Sequence, residues 1–311
     1  MNTLKYYSLC MLLLVVSLFF QNCAEENKTQ KNDVAIKEPS QLISKCPEFI
    51  SKNKNNNLNI SILLDLSDRI EDPKTKAKDS AYLSSLAKSF INHVKNKKVI
   101  LLEDKMQLFF NPEPSDDKIN DIAEKLRVSF TKQTTKSKLE ETLKLYSEYP
   151  SKLYTLAQED AKIANGYPGS DIWRFFKDNI KDYCIDDCHR NILVILTDGY
   201  MFYNKTIMEE KNKTSYLTPR SLKALKLNNS NWKESISKRE LGFIPANKGL
   251  SDLEVLVIGV TSQNDENPYA QDVIEAYWSN WLESMDIKDY KIKYAGLPSN
   301  IEKVISDFIQ N

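Results

Sequence analysis

The stretch Asn59–Ile70, NISILLDLSDRI, constrains the fold of this chain more than any other. Ile60, Ile62, Leu63 and Leu64 form a short apolar run that stops abruptly at Asp65, Ser67, Asp68 and Arg69. A run of this length and composition reads as a strand buried on both faces, as in a parallel sheet with helices on either side. In open α/β sheets ligands bind outside the carboxyl ends of the strands, and here that end carries two carboxylates and a hydroxyl. A second run, Asn191 to Leu196, ends in Thr197-Asp198-Gly199 and brings a further Asp to the same edge.

The 311 residues suffice for one large domain and a tether, and a hydrophobic fraction of 41% supports a full core. Lys+Arg and Asp+Glu both number 43, so no basic excess recruits nucleic acid. Seven glycines argue against a Gly-rich phosphate loop. At the N-terminus, Lys5 precedes an apolar core from Leu9 to Phe20 that ends in Gln21-Asn22-Cys23. Residues 1–22 resemble a bacterial lipoprotein signal peptide, with Cys23 as the lipidated first residue of the mature protein. Ala24-Glu25-Glu26 resembles the acidic export signal of some surface lipoproteins of the Bacteroidetes type. The expected location is the cell envelope, as an outer-membrane lipoprotein on the periplasmic or exposed face.

That compartment is oxidising and favours a disulfide among Cys46, Cys184 and Cys188. Cys184 and Cys188, four apart in YCIDDCH, are expected to pair across a helix end, with Cys46 as the alternative partner of either. His189 beside them adds too few ligands for a zinc site.

Residues 23–57 are rich in Lys, Asn, Glu and Ser and read as a disordered tether. Pro73 opens a helix with Tyr82, Leu86, Phe90 and Val94 at spacing four, and His93 near its end reads as a surface or capping residue. Val99–Glu103 and Met106–Phe110 read as two strands joined by a tight turn at Asp104-Lys105. Ser115 is expected to cap the next helix. The segment from Lys138 to Ala164 reads as helical with a break at Pro150. Residues 201–250 carry ten Lys or Arg against four Glu, a net of +6, and read as a solvated basic insertion within about 200–252. Leu253–Val260 is a third buried strand. Trp278 and Trp281 lie on the apolar stripe of the helix after it, Tyr290–Tyr294 reads as a strand, and Ser299–Glu302 reads as a capping box. The expected fold is α/β: a Rossmann-like, doubly wound, mostly parallel sheet with one antiparallel edge strand.

The order of these elements, a strand ending in Asp65-x-Ser67, a Gly169-Ser170-Asp171 loop and a strand ending in Thr197-Asp198-Gly199, resembles a von Willebrand factor A domain over residues 58–311. The resemblance implies a metal-ion-dependent adhesion site at the C-terminal sheet edge, holding Mg²⁺, or Mn²⁺ or Ca²⁺. Asp65 and Ser67 match its first loop and Asp198 its third, while Ser170 is the candidate hydroxyl of its second, with Asp171 as the neighbour that could serve instead. Hard cations take oxygen ligands and keep several waters, so carboxylates and hydroxyls from three loops suffice, and a partner's acidic residue completes the shell. The departure is Arg69, where the pattern has a second Ser: a guanidinium cannot coordinate a cation, so Arg69 either points away or fills the metal position. Each motif also has a plainer reading. Asp65 and Asp198 close strands by accepting N–H groups, and Ser170 caps a helix.

The expected function is therefore a lipid-anchored binding or adhesion module that engages a protein ligand through this edge and attaches to the membrane through its lipid. One rival is a metal-dependent phosphohydrolase of haloacid dehalogenase-like type, whose chemistry needs a second Asp two residues after the first, where this chain has Ser67. The other is a scaffold whose metal site is degenerate, with Arg69 in place of the ion.

Overall fold

The computed structural model describes residues 56–164, 166–263 and 266–310. The expected signal peptide, the lipidated Cys23, Cys46 and nearly all of the expected tether lie outside the described residues.

β1 (Leu58–Leu64) is buried at all seven positions and lies at the middle of a six-stranded sheet. β4 (Arg190–Leu196) pairs with it in parallel from Leu58↔Arg190 to Leu64↔Leu196. β2 (Lys105–Phe109) flanks β1 on the other side, also in parallel. β3 (Val128–Ser129) closes that edge antiparallel to β2. Beyond β4, β8 (Leu253–Val260) and β9 (Tyr290–Tyr294) continue the sheet in parallel, giving the order β3-β2-β1-β4-β8-β9. The fold is thus Rossmann-like and doubly wound, and the strand order reverses between β1 and β4. In such sheets that reversal opens the crevice where ligands bind.

Alternation along each strand feeds two cores. Ile60, Ile62, Leu64, Val194, Leu196 and Ile258 face one layer, built from α1 (Pro73–Lys95), α3 (Lys136–Ala164) and α9 (Pro298–Gln310). Leu63, Leu193, Ile195, Val255 and Val257 face the other, which holds Phe176 and α8 (Ala270–Ser284) with Trp278 and Trp281. Both tryptophans are core, as their stripe indicated.

Several local expectations are corrected. The Val99–Phe110 hairpin does not form: Val99–Leu101 is a 3₁₀ turn, and β2 pairs with β1 and β3 instead. Asp104, expected in a tight turn, is fully buried, and its carboxylate accepts from Leu58 N (2.8 Å) and Lys97 Nζ (2.7 Å). A carboxylate taken out of water needs partners, and the Leu58 N–H and the Lys97 ammonium supply them. His93 is likewise buried, with Nε2 3.0 Å from Asn56 O. α3 runs unbroken through Pro150, whose ring is itself buried. Asp116, not Ser115, caps α2 (Asp117–Lys125), and α9 starts at Pro298, ahead of the expected capping box.

The basic insertion is folded rather than a solvated loop. It contains a small sheet of β5 (Glu209–Glu210), β6 (Lys213–Thr214) and β7 (Gly242–Phe243), together with α6 (Pro219–Ala224) and α7 (Trp232–Lys238). Its Leu217, Leu222, Trp232, Ile236 and Phe243 join the second core, so its lysines decorate a packed surface.

The Cys184–Cys188 disulfide does not form either. The chain between β3 and β4 includes α4 (Ile172–Arg174), a π-helical turn (Phe175–Asn179) and α5 (Ile180–Cys184). Cys184 ends α5 as a fully buried free thiol, and its carbonyl accepts from Asn59 Nδ2 of β1 at 3.1 Å. Cys188, beyond the helix at a left-handed φ of 63°, is itself disulfide-bonded, and not to Cys184.

Candidate functional site

Asp65 is the first residue past β1, and its N–H still reaches Leu196 O at 3.1 Å. The chain then turns back on the Asp65 side chain: Oδ1 accepts from Ser67 N (3.0 Å) and Oδ2 from Thr197 Oγ1 (2.7 Å). Thr197 Oγ1 in turn accepts from Gly199 N at 3.1 Å. The loops after β1 and β4 are therefore stitched across the reversal point by one carboxylate and one hydroxyl. The strand-closing role of Asp65 is real, and it places Ser67 and Asp198 at the same crevice.

Asp198 Oδ1 accepts from Tyr200 N (3.1 Å) and Oδ2 from Gln263 Nε2 (3.3 Å), while its carbonyl accepts from Thr261 N (2.9 Å). Burial, reinforced by the charge of Asp65, pushes the Asp198 carboxyl up to about 7. Burial also raises Asp65 against the opposing pull of Arg69 and its hydrogen bonds. Burial is the leading cause for both acids, and at Asp198 the neighbouring charge of Asp65 adds to it while Arg69 opposes it. Glycine is needed on both sides of them. Gly199 sits at φ 94°, where a Cβ would lie 2.7 Å from Ile274 Cγ2, and Gly259 at φ 103°, where a Cβ would lie 2.9 Å from Thr197 O.

The second loop is carried in by its backbone. Gly169 N donates to Leu66 O (3.1 Å), and Ser170 forms a bridge with Phe202 of the insertion. Ser170 is thus set beside the first loop at 5% exposure, and its Oγ has no hydrogen-bond partner. An orphaned buried hydroxyl is rare enough to call for an explanation. Asp171 is not part of this group. Its Oδ1 accepts from Arg174 N (3.0 Å) as the cap of α4, and its Oδ2 accepts from Thr206 Oγ1. Its backbone is clamped to the end of β2, with Asn111 Nδ2 2.7 Å from Asp171 O. The candidate ligand role of Asp171 is therefore corrected to a structural one, because its carboxylate is spent on capping α4 and on Thr206 of the insertion rather than on the loops of Asp65 and Asp198.

Arg69 does not fill the crevice. Its Nη1 and Nη2 reach Asp79 Oδ2 and Oδ1 at 2.9 and 3.3 Å, and Nη1 also reaches the main-chain O of Asp65 at 3.2 Å. Tyr154 OH of α3 donates to Asp79 Oδ2 at 2.7 Å and completes a buried triad beneath the first loop. Burial works against the guanidinium charge, but Asp79 and Asp65 outweigh it and keep Arg69 firmly protonated.

The donor set fits a hard divalent cation: carboxylates from Asp65 and Asp198 and hydroxyls from Ser67 and Ser170, with those carboxylate oxygens accepting, among the described residues, from neutral donors alone. Among the described residues no three His, Cys, Asp or Glu side chains cluster, so any ion here depends on the hydroxyls. Sequence reasoning missed Thr197, Gln263, Asp79 and Tyr154. Thr197 was legible in the Thr-Asp-Gly run, whereas nothing local marks Asp79 or Tyr154 as the partners of Arg69.

No family model matches the chain, and no curated protein matches it in sequence. Among solved structures, two of the pilus adhesin SpaC from Lactobacillus rhamnosus GG align with 81% of this chain at 13% identity, with TM-scores of 0.37 and 0.41. The chain covers 30% of that adhesin's length. An aerotolerance-related membrane protein from Bacteroides fragilis NCTC 9343, carrying multiple mutations to serines, aligns with 81% of this chain and 98% of its own at 14% identity, with a TM-score of 0.34.

Proposed function

We propose that this chain is a binding module of the cell envelope, von Willebrand factor A-like in its strand order and loops, that engages a protein partner through the C-terminal edge of its sheet. The observation that carries this reading is the convergence of two buried acids' loops, those of Asp65 and Asp198, with the loop of the orphaned Ser170 hydroxyl at the reversal point. Asp65, Ser67, Ser170 and Asp198 would hold Mg²⁺, or Mn²⁺ or Ca²⁺. Bound there, the ion would supply a Lewis-acidic position for a partner's carboxylate. The protein residues do the rest: Thr197 fixes the Asp65 carboxylate, and Gly169 sets Ser170 against the first loop. Arg69 leaves the crevice to the ion because Asp79 holds its guanidinium.

The proposed role is binding rather than catalysis, since Ser67 stands where a haloacid dehalogenase-like phosphatase needs its general acid. Attachment through a lipid on Cys23 belongs to the same proposal. Among the described residues no helix is long and apolar enough to cross a membrane. The test is calorimetric titration of Mn²⁺ or Mg²⁺ into the chain, followed by the same titration of Asp198→Ala. One ion per chain, lost in the variant, is expected. No binding in the wild type removes the metal-dependent reading, and release of phosphate from an aryl phosphate would replace binding with catalysis.

A further inference from the structure

The edge of the sheet opposite the site carries the most exposed aliphatic run among the described residues. Val99, Ile100 and Leu101 are 55%, 76% and 59% exposed, three in succession on one 3₁₀ turn. The turn is held rigidly. Leu101 N donates to Lys98 O (2.9 Å), Leu102 N donates to Val99 O (3.2 Å), and Leu102 itself is buried. On its N-terminal side Lys97 Nζ is tied to the buried Asp104 at 2.7 Å and to Asn57. On its C-terminal side Glu103 N donates to Asn57 Oδ1 at 3.1 Å. The three side chains are therefore presented outward on a hydrogen-bonded turn.

Two features of the surroundings identify what covers them. Lys95 and Lys98 flank the turn and are exposed. A convex apolar tip with lysines at its rim matches a lipid interface, where the apolar groups enter the acyl boundary and the ammonium groups meet anionic headgroups. The tip also lies against Asn56 and Asn57, at the start of the described residues, and the tether read from Cys23 onward precedes them in the chain.

We propose that the Val99-Ile100-Leu101 turn, with Lys95 and Lys98, is a membrane-contacting surface that seats the N-terminal edge of the sheet on an anionic bilayer. This rests on the envelope-attachment part of the reading above and adds an orientation to it. β1 runs seven residues from this edge to Asp65, about 23 Å at strand rise. Seating the turn on lipid therefore points the Asp65–Asp198 crevice away from the membrane, toward a partner. A tether that keeps the domain near the bilayer makes the contact effectively intramolecular, so a small apolar tip suffices.

The test uses the full chain carrying Ile100→Trp, a substitution at an exposed position that leaves the core untouched. The four native tryptophans are each 6% exposed or less, so the introduced indole is the one that samples the surface. The protein is mixed with phosphatidylcholine vesicles containing about a third phosphatidylglycerol, with and without brominated lipid. The expected result is co-flotation with a blue shift and about twofold quenching of the added emission by brominated lipid. Adding Lys95→Glu and Lys98→Glu should reverse most of the quenching. Co-flotation without quenching overturns the contact surface while membrane attachment stands. Failure to float overturns both. A blue shift before any vesicle is added means that the turn is covered by a second copy or by the chain's own N-terminal segment, which also overturns the proposal.

Discussion

Arg69 and Asp79 form a buried two-point ion pair, with Nη1–Oδ2 at 2.9 Å and side-chain exposures of 4% and 2%. It lies directly beneath the loop that carries Asp65 and Ser67. Arg69 therefore works in the foundation of that loop rather than in the crevice. Two nitrogens on two oxygens fix the guanidinium in plane, and a lysine in its place would lose that geometry.

Arg69→Ser leaves Asp79 buried without its cation, and should cost about 3–5 kcal/mol. Asp79→Asn in the same chain should recover a substantial part of that loss. Urea denaturation of the wild type, both single variants and the double variant measures the coupling. A coupling near zero would mean that the pair does not act as a unit.

The raised Asp198 carboxyl gives stability a specific pH dependence. Its ordinary value of 3.8 becomes about 7 in the fold. Between those limits the folded protein keeps a proton that the unfolded chain has released. The contribution of this group is therefore fully present below about pH 4 and is lost as pH rises through 7. In chelator, Asp198→Asn should flatten that part of the melting profile and raise Tm at pH 8 by about 2–6 °C. At the proposed site protons and a cation would compete for the same oxygens, so the Tm gain from Mg²⁺ should be larger at pH 8 than at pH 6. A gain that does not vary with pH would place the ion elsewhere.

Ser170 and Asp171 are adjacent and should respond oppositely. Ser170→Ala removes a hydroxyl that has no partner, so stability should change little while cation affinity falls. Asp171→Ala removes the α4 cap and should cost about 1 kcal/mol with the cation response intact. Parallel calorimetric and denaturation measurements separate the two roles.

Gly199→Ala and Gly259→Ala each force a side chain into the left-handed region against a close neighbour, and each should cost more than about 1 kcal/mol. Gly166→Ala is the control: its added methyl meets nothing within 4 Å and its φ is not left-handed. Chemical denaturation of the three variants should rank them in that way.

Cys184 should resist alkylation in the folded protein, because burial raises its thiol to about 12 and no reagent reaches it. Without reductant, denaturation should expose one reactive thiol at Cys184 and none at Cys188. Peptide mapping that found an intact Cys184–Cys188 bridge would contradict this structure.

The sequence by itself determined the three central strands and the edge at which their acids gather. Unalternating runs such as Asn59–Leu64 and Leu253–Val260 can be satisfied only with cover on both faces, and a strand's carboxyl end follows directly from its last apolar residue. The tertiary structure alone decided where each charge finds its partner. Arg69 meets an acid ten residues along on α1, Asp104 leaves an expected turn for the buried end of β1, and Cys184 turns inward away from Cys188. The insertion packs because its scattered Leu222, Trp232 and Phe243 share one surface only after α8 is in place. Burial on two faces is written in short-range periodicity. The partner of a buried charge, thiol or scattered apolar residue depends on which distant elements pack against it, and short-range pattern holds no record of that.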